Sequence, residues 1–386
     1  MNRTKIIRTS TVSDSLSTFC KGLLRELCEK DGYDVVAVSS PGEQLREIAE
    51  RESVRVVPVP MERRISPVKD LKSLWRLIRV FRREKPAMVH SMTPKAGLLS
   101  MLAAWVCRVP VRVHTFTGLV FPTATGLTQK ILILTDRLTC ACATHIVPEG
   151  EGVRNDLASY RITGKPLRVL GHGNVRGIDL AHYDRTPDVE ARAAGIRKEG
   201  VFTFVFVGRL VRDKGINELV EAFAGLNRVH PATRLVLVGG QEPGLDPLSP
   251  GTLAEIVGNP AIEAVGSQAD VRPWLAASDA FVFPSYREGF PNVVIEAGAM
   301  GLPSIVTDIN GSREIVVEGR NGIVVPPRDT GALRTAMEDF LENPGRRKDM
   351  AAAARGLVAS RYEQSFVRNC LKEFYKEIIN NKICNV

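Results

Sequence analysis

The feature that most constrains the fold is a regular alternation of short apolar runs with longer amphipathic stretches. The apolar runs have the length of buried strands, and in the first half they fall at 6–9, 34–38, 54–59, 88–90, 111–115 and 145–147. The stretches between them have the length and period of helices, as at 17–31, 41–52, 67–83 and 95–108. Strands and helices in this order predict a parallel sheet that is covered by helices.

The alternation starts a second time after a charged segment at 186–200. Strands are predicted at 201–207, 235–238, 261–265, 280–283, 304–307 and 322–325. A chain of 386 residues also exceeds the usual size of a single core. We therefore predict an α/β fold of two doubly wound, Rossmann-like domains facing each other across a cleft. The domains are predicted at 1–185 and 186–358, and a C-terminal helical segment at 359–386 is expected to cross back to the first.

Composition narrows the class of protein. No apolar run approaches the roughly 20 residues of a membrane span, and residues 1–15 lack the apolar core of a signal peptide. The seven cysteines are scattered without metal-ligand spacing, which favours buried, reduced thiols. We therefore expect a cytoplasmic protein without a metal site.

The net charge of +9 is unevenly distributed along the chain. Residues 1–185 contain 29 Lys and Arg against 18 Asp and Glu, whereas the remainder contains 23 against 25. This asymmetry predicts that the first half meets an anionic partner. We expect that partner to be other than a nucleic acid.

The loop after the first strand of the second series carries candidate phosphate ligands. The strand runs into Gly208-Arg209-Leu-Val-Arg-Asp-Lys214-Gly215, and a helix is predicted from about residue 217. Glycines allow close approach of backbone to a ligand, while Arg209 and Lys214 offer a bidentate fork and a point charge for phosphates. The alternative is a plain strand-to-helix turn with two solvated bases.

Two carboxylates, Glu288 and Glu296, mark a second loop. Residues 280–283 form a predicted strand, 284–291 a loop, and Asn292 a predicted N-cap for the next helix. Glu288 would then lie at the carboxyl end of a strand and Glu296 in the first turn of that helix. Ligands of open α/β sheets bind at this edge, where a carboxylate can accept hydrogen bonds from sugar hydroxyls. The alternative is a solvated loop charge and a residue that complements the helix dipole.

These motifs together resemble the retaining glycosyltransferases of family four, whose architecture is called GT-B. The resemblance rests on the loop 208–215, Gly239-Gly240, the run Pro284-Ser285 to Pro291, Glu296 and Gly319-x-Asn321-Gly322. In the first half, the runs 90–97 and 114–119 resemble the branch that builds bacterial capsule and O-antigen on a lipid carrier. The resemblance implies sugar transfer from a nucleotide diphosphate donor, most often UDP-linked, with retained anomeric configuration, no metal and no cofactor.

The resemblance also implies roles for particular residues. Arg209 and Lys214 would hold the diphosphate, and Glu296 would accept hydrogen bonds from the ribose. Glu288 would contact the transferred sugar, without acting as a nucleophile. The remaining donor-site residues implied are Gly208, Val265, Gly289, Phe290, Pro291, Asn292 and Val293. No Asp-x-Asp occurs in the chain, in agreement with a metal-free site.

Two positions depart from the family pattern. The loop 9–17 after the first strand lacks the paired glycines, so hydroxyls or ordinary amides would replace them. Thr117 precedes Gly118, where many members have a histidine. His114, three residues earlier, either fills that role by binding the donor sugar or is a structural histidine. His172 is interpreted as structural.

Three functions agree with the sequence. The first is a membrane-associated glycosyltransferase that extends a lipid-diphosphate-linked glycan. The second is a nucleotide-sugar epimerase of the same architecture, and the third is a non-catalytic nucleotide-sugar binder. A dinucleotide oxidoreductase is excluded, because no Gly-x-Gly-x-x-Gly follows the first strand.

A basic helix predicted at 67–85 favours a membrane surface as the anionic partner. Five bases recur at three and four residues along it, with Leu71, Leu74, Trp75, Ile78 and Phe81 on the opposite side. Those bases are Lys69, Lys72, Arg76, Arg79 and Arg83, and Arg63, Arg64 and Arg82 are neighbours. We predict peripheral association with the inner face of the plasma membrane; the alternative is an ordinary domain helix with its bases in water.

Overall fold

The computed structural model describes residues 3–383 except 63–65, 243 and 245, so that Arg63 and Arg64 lie outside the described residues. The chain forms two compact units, one of Met1–Gly177 with Ser365–Val386 and one of Ile178–Gln364. The units divide eight residues before the boundary expected from the sequence. Residues 178–185 belong to the second unit because Ile178 pairs with Glu363 and Arg355 donates to the carbonyls of Leu180 and Tyr183.

Unit 1 is built on a six-stranded parallel sheet of order β3-β2-β1-β4-β5-β6. The strands are β1 Lys5–Thr9, β2 Asp34–Ser39, β3 Arg55–Pro58, β4 Met88–Met92, β5 Val111–Phe116 and β6 His145–Pro148. Strands β1, β2 and β4 are almost wholly buried, as a parallel sheet with both faces covered requires, and β1 and β2 supply Ile and Val to the core.

Helices cover both faces of the unit 1 sheet. They are α1 Ser13–Phe19, α2 Leu23–Glu29, α3 Glu43–Glu52, α4 Pro67–Glu84, α5 Pro94–Val106, α6 Gly126–Cys142 and α7 Glu151–Ser159. Helices α4, α5 and α6 pack on one face and α1, α2 and α3 on the other. The prediction of one helix over 17–31 is wrong: Gly22, with φ of 74°, separates α1 from α2.

Helix α4 buries only part of its predicted apolar side. Ser73, Leu77 and Phe81 are buried, whereas Leu71 and Trp75 are 67% and 56% exposed. Leu71 and Trp75, which were predicted on the side opposite the bases, therefore do not belong to the buried side. The buried side is set by the neighbouring helix α5, which packs along α4.

Unit 2 repeats the doubly wound plan. Its sheet has the order β12-β11-β10-β7-β8-β9, with β7 Phe202–Val207, β8 Thr233–Val238, β9 Ile262–Gly266, β10 Ala280–Phe283, β11 Ser304–Thr307 and β12 Gly322–Val325. Its helices are α8 Pro187–Ile196, α9 Ile216–Val229, α10 Pro250–Gly258, α11 Arg272–Ala276, α12 Asn292–Ala299, α13 Ser312–Ile315, α14 Thr330–Glu342 and α15 Pro344–Tyr362. The prediction of an α/β chain with two doubly wound domains is confirmed.

The last helix, α16 Gln364–Ile383, packs on unit 1 although it follows unit 2 in the chain. Phe374 and Tyr375 are buried in the core on the side of α1 and α2. Lys372 pairs with Glu26 and Asp31 at 3.5 and 3.3 Å. Unit 1 therefore includes α16 as well as the elements that precede residue 178.

Among the described residues, no helix combines the length and the apolarity that a membrane crossing requires.

Candidate active site

The strand order of unit 2 creates a switch point between β7 and β10. The chain runs from β7 to β8 and β9 on one side, then returns to place β10 on the other side of β7. Loops that leave the carboxyl ends of such a strand pair diverge and open a crevice, which is where doubly wound folds bind ligands. The loops after β7 and β10 contain Arg209, Lys214 and Glu288, so the switch point brings these predicted residues to one edge.

Arg209 stands at the carboxyl end of β7, directly after Gly208. Its guanidinium pairs with Glu242 at 2.7 Å, and the side chain remains 59% exposed. Glu242 follows the glycine pair after β8, and that loop is tied to the loop after β7 by a hydrogen bond of 2.8 Å from Leu210 N to Gly240 O. Arg209 therefore presents a guanidinium at the crevice and already has a carboxylate partner there.

Lys214 and Glu288 form an ion pair across the switch point. Both side chains are largely buried, at 18% and 17% exposure. The same Glu288 oxygen accepts a hydrogen bond of 3.0 Å from Ser285 Oγ. The Lys214 ammonium also lies 5.4 Å from the centre of the Phe283 ring. The pair thus fixes one positive and one negative group side by side at the edge of the sheet.

Glycines allow the loops at this edge to approach one another. Gly215 has φ of 70°, and a Cβ there would lie 2.0 Å from the carbonyl oxygen of Pro284. Gly239 has φ of 153°, and its Cβ would lie 1.8 Å from the carbonyl oxygen of Gly208. A side chain at either position would force the loops after β7, β8 and β10 apart.

The loop after β10 is anchored on both sides of Glu288. Tyr286 donates to Glu218 of α9 at 2.6 Å, and Arg287 pairs with Asp213 at 3.0 Å. Phe290 is 5% exposed and packs edge-on against the ring of Tyr362. Gly289 and Pro291 continue the loop into α12. Because the residues on both sides of Glu288 are anchored, the position of its carboxylate is fixed.

Helix α12 begins one residue earlier than predicted. Pro291 is the N-cap and Asn292 the first helical residue, so the prediction of Asn292 as N-cap is wrong. Pro291 takes an extended conformation at the cap, with φ of −75°. Glu296 consequently lies at the start of the second turn, and its placement in the first turn is also wrong. It is 7% exposed, while Asn292 and Val293 are half-buried at the helix start.

Val265 lies near the carboxyl end of β9, at the outer edge of the sheet. It is half-buried and precedes Gly266, which has φ of 68°. The carbonyl of Gly266 accepts from Gly239 N at 2.9 Å, which ties this strand end to the loop after β8. Val265 therefore lies at the carboxyl ends of the strands, as Gly208 and Arg209 do, and β8 separates β9 from β7.

His114 lies inside unit 1, on β5. It is 1% exposed, its Nδ1 lies 2.9 Å from Ser91 Oγ, and its ring packs against Phe116. A Cβ at Gly97 would approach the imidazole to 2.3 Å, so the glycine provides the space for the ring. Burial lowers the pKa of His114 to about 3. Of the two roles left open by the sequence, this surrounding favours the structural one.

The hydroxyls of the loop after β1 bond within unit 1. Thr11 Oγ1 lies 2.8 Å from Thr93 Oγ1 and accepts from Ala96 N in the first turn of α5 at 3.1 Å. Ser10 Oγ donates to the carbonyl of Val12 at 2.6 Å. His172 is exposed and stacks on Phe366 of α16. Together, the hydroxyls of Thr11 and Thr93 connect the ends of β1 and β4 at the carboxyl edge of this sheet.

Sequence reasoning missed two residues of the site. Glu242 was given no role, although it is the partner of Arg209, and Ser285 was noted only as part of a motif. Glu242 lies 33 positions from Arg209, and no spacing rule connects them. Ser285 was detectable in principle, because a hydroxyl three residues before a carboxylate in a loop can reach it.

Both units of the chain match families of known proteins. Residues 189–357 match the family described as "Glycosyl transferases group 1", and residues 16–173 match the "Glycosyl transferase 4-like domain". The capsular polysaccharide biosynthesis glycosyltransferase CapM of Staphylococcus aureus is 30% identical over 381 residues, 98% of each chain.

Two further proteins extend the comparison. An Escherichia coli enzyme named UDP-Gal:alpha-D-GlcNAc-diphosphoundecaprenol alpha-1,3-galactosyltransferase is 28% identical over 319 residues, 81% of each chain. The crystal structure of Anabaena Alr3699/HepE in complex with UDP superposes with a TM-score of 0.80 at 16% identity, over 97% of this chain and 100% of the other. The first is a relative in sequence and the second shows the same fold. Taken with the matches over both units, they lead to one conclusion: this chain belongs to the group 1 glycosyltransferases, with a glycosyltransferase 4-like first unit.

Proposed function

We propose that this chain transfers a sugar, with retention of anomeric configuration, from a UDP-sugar to a lipid-diphosphate-linked glycan in bacterial surface polysaccharide synthesis. The observation that carries the proposal is the cluster of Arg209, Lys214 and Glu288 at the switch point of unit 2. Two bases and a carboxylate at one strand edge suit a donor that combines a diphosphate with a hydroxylated sugar.

In the proposed reaction the bond from the anomeric carbon to the diphosphate oxygen breaks. A new bond forms on the same face to a hydroxyl oxygen of the acceptor, and the proton of that hydroxyl passes to the departing phosphate oxygen. Arg209 and Lys214 stabilise the charge that grows on the diphosphate, so a divalent ion is not required for its departure. Glu288 orients the transferred sugar and Glu296 accepts hydrogen bonds from the ribose.

The relatives support the choice of donor and acceptor. The Escherichia coli relative is named for a UDP-sugar and a diphosphoundecaprenol acceptor, and CapM is named for capsular polysaccharide. A lipid-linked acceptor resides in a membrane, and the exposed bases of α4 offer a surface for anionic headgroups. We therefore propose that the protein works at the cytoplasmic face of the plasma membrane as a peripheral protein.

Incubation with nucleotide sugars, with and without a lipid-diphosphate acceptor, tests the proposal. We expect the acceptor mass to increase by one sugar, with release of UDP, only when both substrates are present. An isomerised donor would instead identify an epimerase, and binding without turnover would identify a nucleotide-sugar binder.

The donor base can be identified by a thermal-shift series with UDP, GDP and their sugars. A ligand at 100 times its dissociation constant adds about 2.7 kcal/mol to the free energy of unfolding. We expect UDP and a UDP-sugar to raise the unfolding temperature more than the guanosine compounds do. A larger shift with GDP would reassign the donor and leave the reaction class unchanged.

A further inference from the structure

Unit 1 carries an exposed apolar surface on the outer side of helices α4, α5 and α6, called here the outer helix surface. Helices α4 and α6 both pack against α5, and the three cover the same face of the sheet. Most of the large apolar side chains that the described residues expose belong to these helices. They are Val68, Leu71, Trp75, Trp105, Val106, Leu127, Ile131, Leu134 and Leu138.

Helix α6 contributes a continuous apolar stripe. Leu127, Ile131, Leu134 and Leu138 recur at intervals of four, three and four residues and are 73%, 40%, 66% and 42% exposed. A surface helix normally turns such a stripe toward the core. Here the core side of α6 is supplied by other residues, among them the buried Cys140. The stripe is therefore not part of the hydrophobic core of unit 1.

Helix α4 adds large side chains in its first three turns. Val68 and Leu71 are 69% and 67% exposed, and Trp75 is 56% exposed with the Arg79 guanidinium 4.5 Å from its ring centre. Helices α4 and α6 both begin at the carboxyl edge of the sheet, because each follows the carboxyl end of a strand. The apolar side chains at the starts of both helices therefore lie near the edge where a doubly wound unit binds ligands.

The charges around this surface are predominantly positive. Residues 67–142 contain twelve Lys and Arg but three Asp and Glu. Asp70 pairs with Lys95 at 2.7 Å, the Glu84 side chain is 4% exposed, and Asp136 is half-buried. Lys69 pairs with Glu62, and the other exposed bases therefore dominate the electrostatic potential outside these helices.

The charge pattern also decides between two occupants of the surface. If a second copy paired along the stripe of α6, with Leu127 and Leu134 at d positions, Lys130 and Arg137 would occupy g and threonines would occupy e. Two such helices would place bases against threonines or against other bases. Apolar side chains flanked by bases instead match a lipid bilayer with anionic headgroups.

We infer that the outer helix surface inserts the α6 stripe and Trp75 into the interfacial region of an anionic bilayer. The inference rests on the proposed function, in which the acceptor resides in a membrane. It adds the identity of the side chains that enter the bilayer. Bases alone hold a protein above the headgroups, whereas stable attachment needs a second contribution. The stripe of α6 supplies it and brings the carboxyl edge of unit 1 to the membrane, where a lipid-diphosphate resides.

Vesicle binding by the full chain tests the inference. We compare wild type with a variant in which Leu127, Ile131, Leu134 and Leu138 are changed to Ser, using phosphatidylglycerol–phosphatidylcholine vesicles. The variant loses the free energy that is gained when even part of these side chains is buried in lipid. Its partition into the vesicles should therefore fall about tenfold or more. A second variant, Leu127→Ser with Leu134→Ser, removes the two most exposed side chains and should give an intermediate loss. Insertion should also shift wild-type tryptophan emission to shorter wavelength and allow quenching by lipids brominated in the acyl chain.

The matched control is Val229→Ser with Val257→Ser, which removes two exposed apolar side chains of unit 2 and should leave partition unchanged. Unfolding temperatures show whether each variant is folded. Equal partition of wild type and both stripe variants would overturn the inference, as would a wild-type dimer that the stripe variants abolish.

The proposed function is tested separately in the same preparations. Transfer to a short-chain, water-soluble acceptor does not need a membrane, so it should be equal in wild type and the stripe variants. Vesicle binding without any transfer would count against the proposed function and leave the inference standing.

Discussion

The ion pair of Lys214 with Glu288 joins the two halves of the proposed donor interaction. A lysine that contacts a diphosphate and a carboxylate that contacts a sugar must lie side by side, since the phosphate is attached to the anomeric carbon. Their side chains are held at 18% and 17% exposure, which reduces screening by water. Arg209 is more exposed and can exchange Glu242 for a phosphate at lower cost of desolvation.

Replacement of Glu296 tests the ribose contact. We expect Glu296→Ala to raise the donor KM more than it lowers kcat, because a ribose contact is equal in the ground and transition states. Steady-state kinetics with varied donor measures both constants. Glu338→Ala, on α14, is the matched control, and a fall of kcat at unchanged KM would show that Glu296 acts on the reacting atoms instead.

Two buried histidines predict a pH dependence of stability. Burial lowers the pKa of His90 well below its ordinary value and that of His114 to about 3. The native state keeps both rings neutral, whereas the unfolded chain binds protons below pH about 6.5. Each histidine should therefore reduce the free energy of unfolding by about 1.4 kcal/mol per pH unit as the pH falls from about 6.5 toward 5. Urea unfolding at several pH values measures the slope.

The variant His114→Gln separates the histidine's two roles. A structural histidine predicts a smaller pH slope and an unchanged donor KM. An increased KM at an unchanged slope would instead assign His114 to the donor sugar.

The strands were predicted well from the sequence, whereas the boundaries and the buried sides of the helices were predicted less well. Apolar runs such as 34–38 correspond to buried strands because both faces of each sheet are covered. The break at Gly22 was missed, since a single glycine in a helical pattern is compatible with one helix. The buried side of α4 could not be predicted for another reason: Leu71 and Trp75 fit an apolar side by spacing, but α5 decides which side is buried.

The exposed bases of α4 are predicted to bind the protein to anionic vesicles. Changing Lys69, Lys72, Arg76 and Arg79 to Gln should abolish cosedimentation with anionic vesicles at physiological salt, because each base near such a surface contributes about 1 kcal/mol. Wild type should sediment with anionic but not with neutral vesicles, and less at high salt. UDP binding, measured by calorimetry, should be unchanged. Equal sedimentation of the variant would exclude α4 and direct attention to the basic helix α16.

In unit 2, the sequence identified residues at the carboxyl edge of the sheet but not their partners. Arg209 and Lys214 were found because they follow a strand and stand between glycines. Their pairing with Glu242 and Glu288 depends on which strand ends are adjacent, and that follows from the strand order of unit 2. The placement of Glu296 was wrong by one helical position, because the helix starts at Asn292.

The proposed mechanism predicts independence from divalent metal ions. Two bases stabilise the departing diphosphate, so transfer should survive an excess of EDTA with little change in rate. The assay compares transfer before and after chelation. Complete loss of activity with EDTA, restored by manganese or magnesium, would contradict this mechanism.

The turnover of the Arg209→Ala and Lys214→Ala variants shows whether these two bases stabilise the departing diphosphate. Each variant loses a charge-assisted contact that strengthens as the diphosphate departs, so kcat at saturating donor and acceptor should fall roughly 10²-fold or more. Arg212→Ala removes a base of the same loop that pairs with Asp246 at 3.2 Å, and it should change kcat little. Retention of full turnover after both Arg209 and Lys214 have been replaced would contradict the assignment of the donor site.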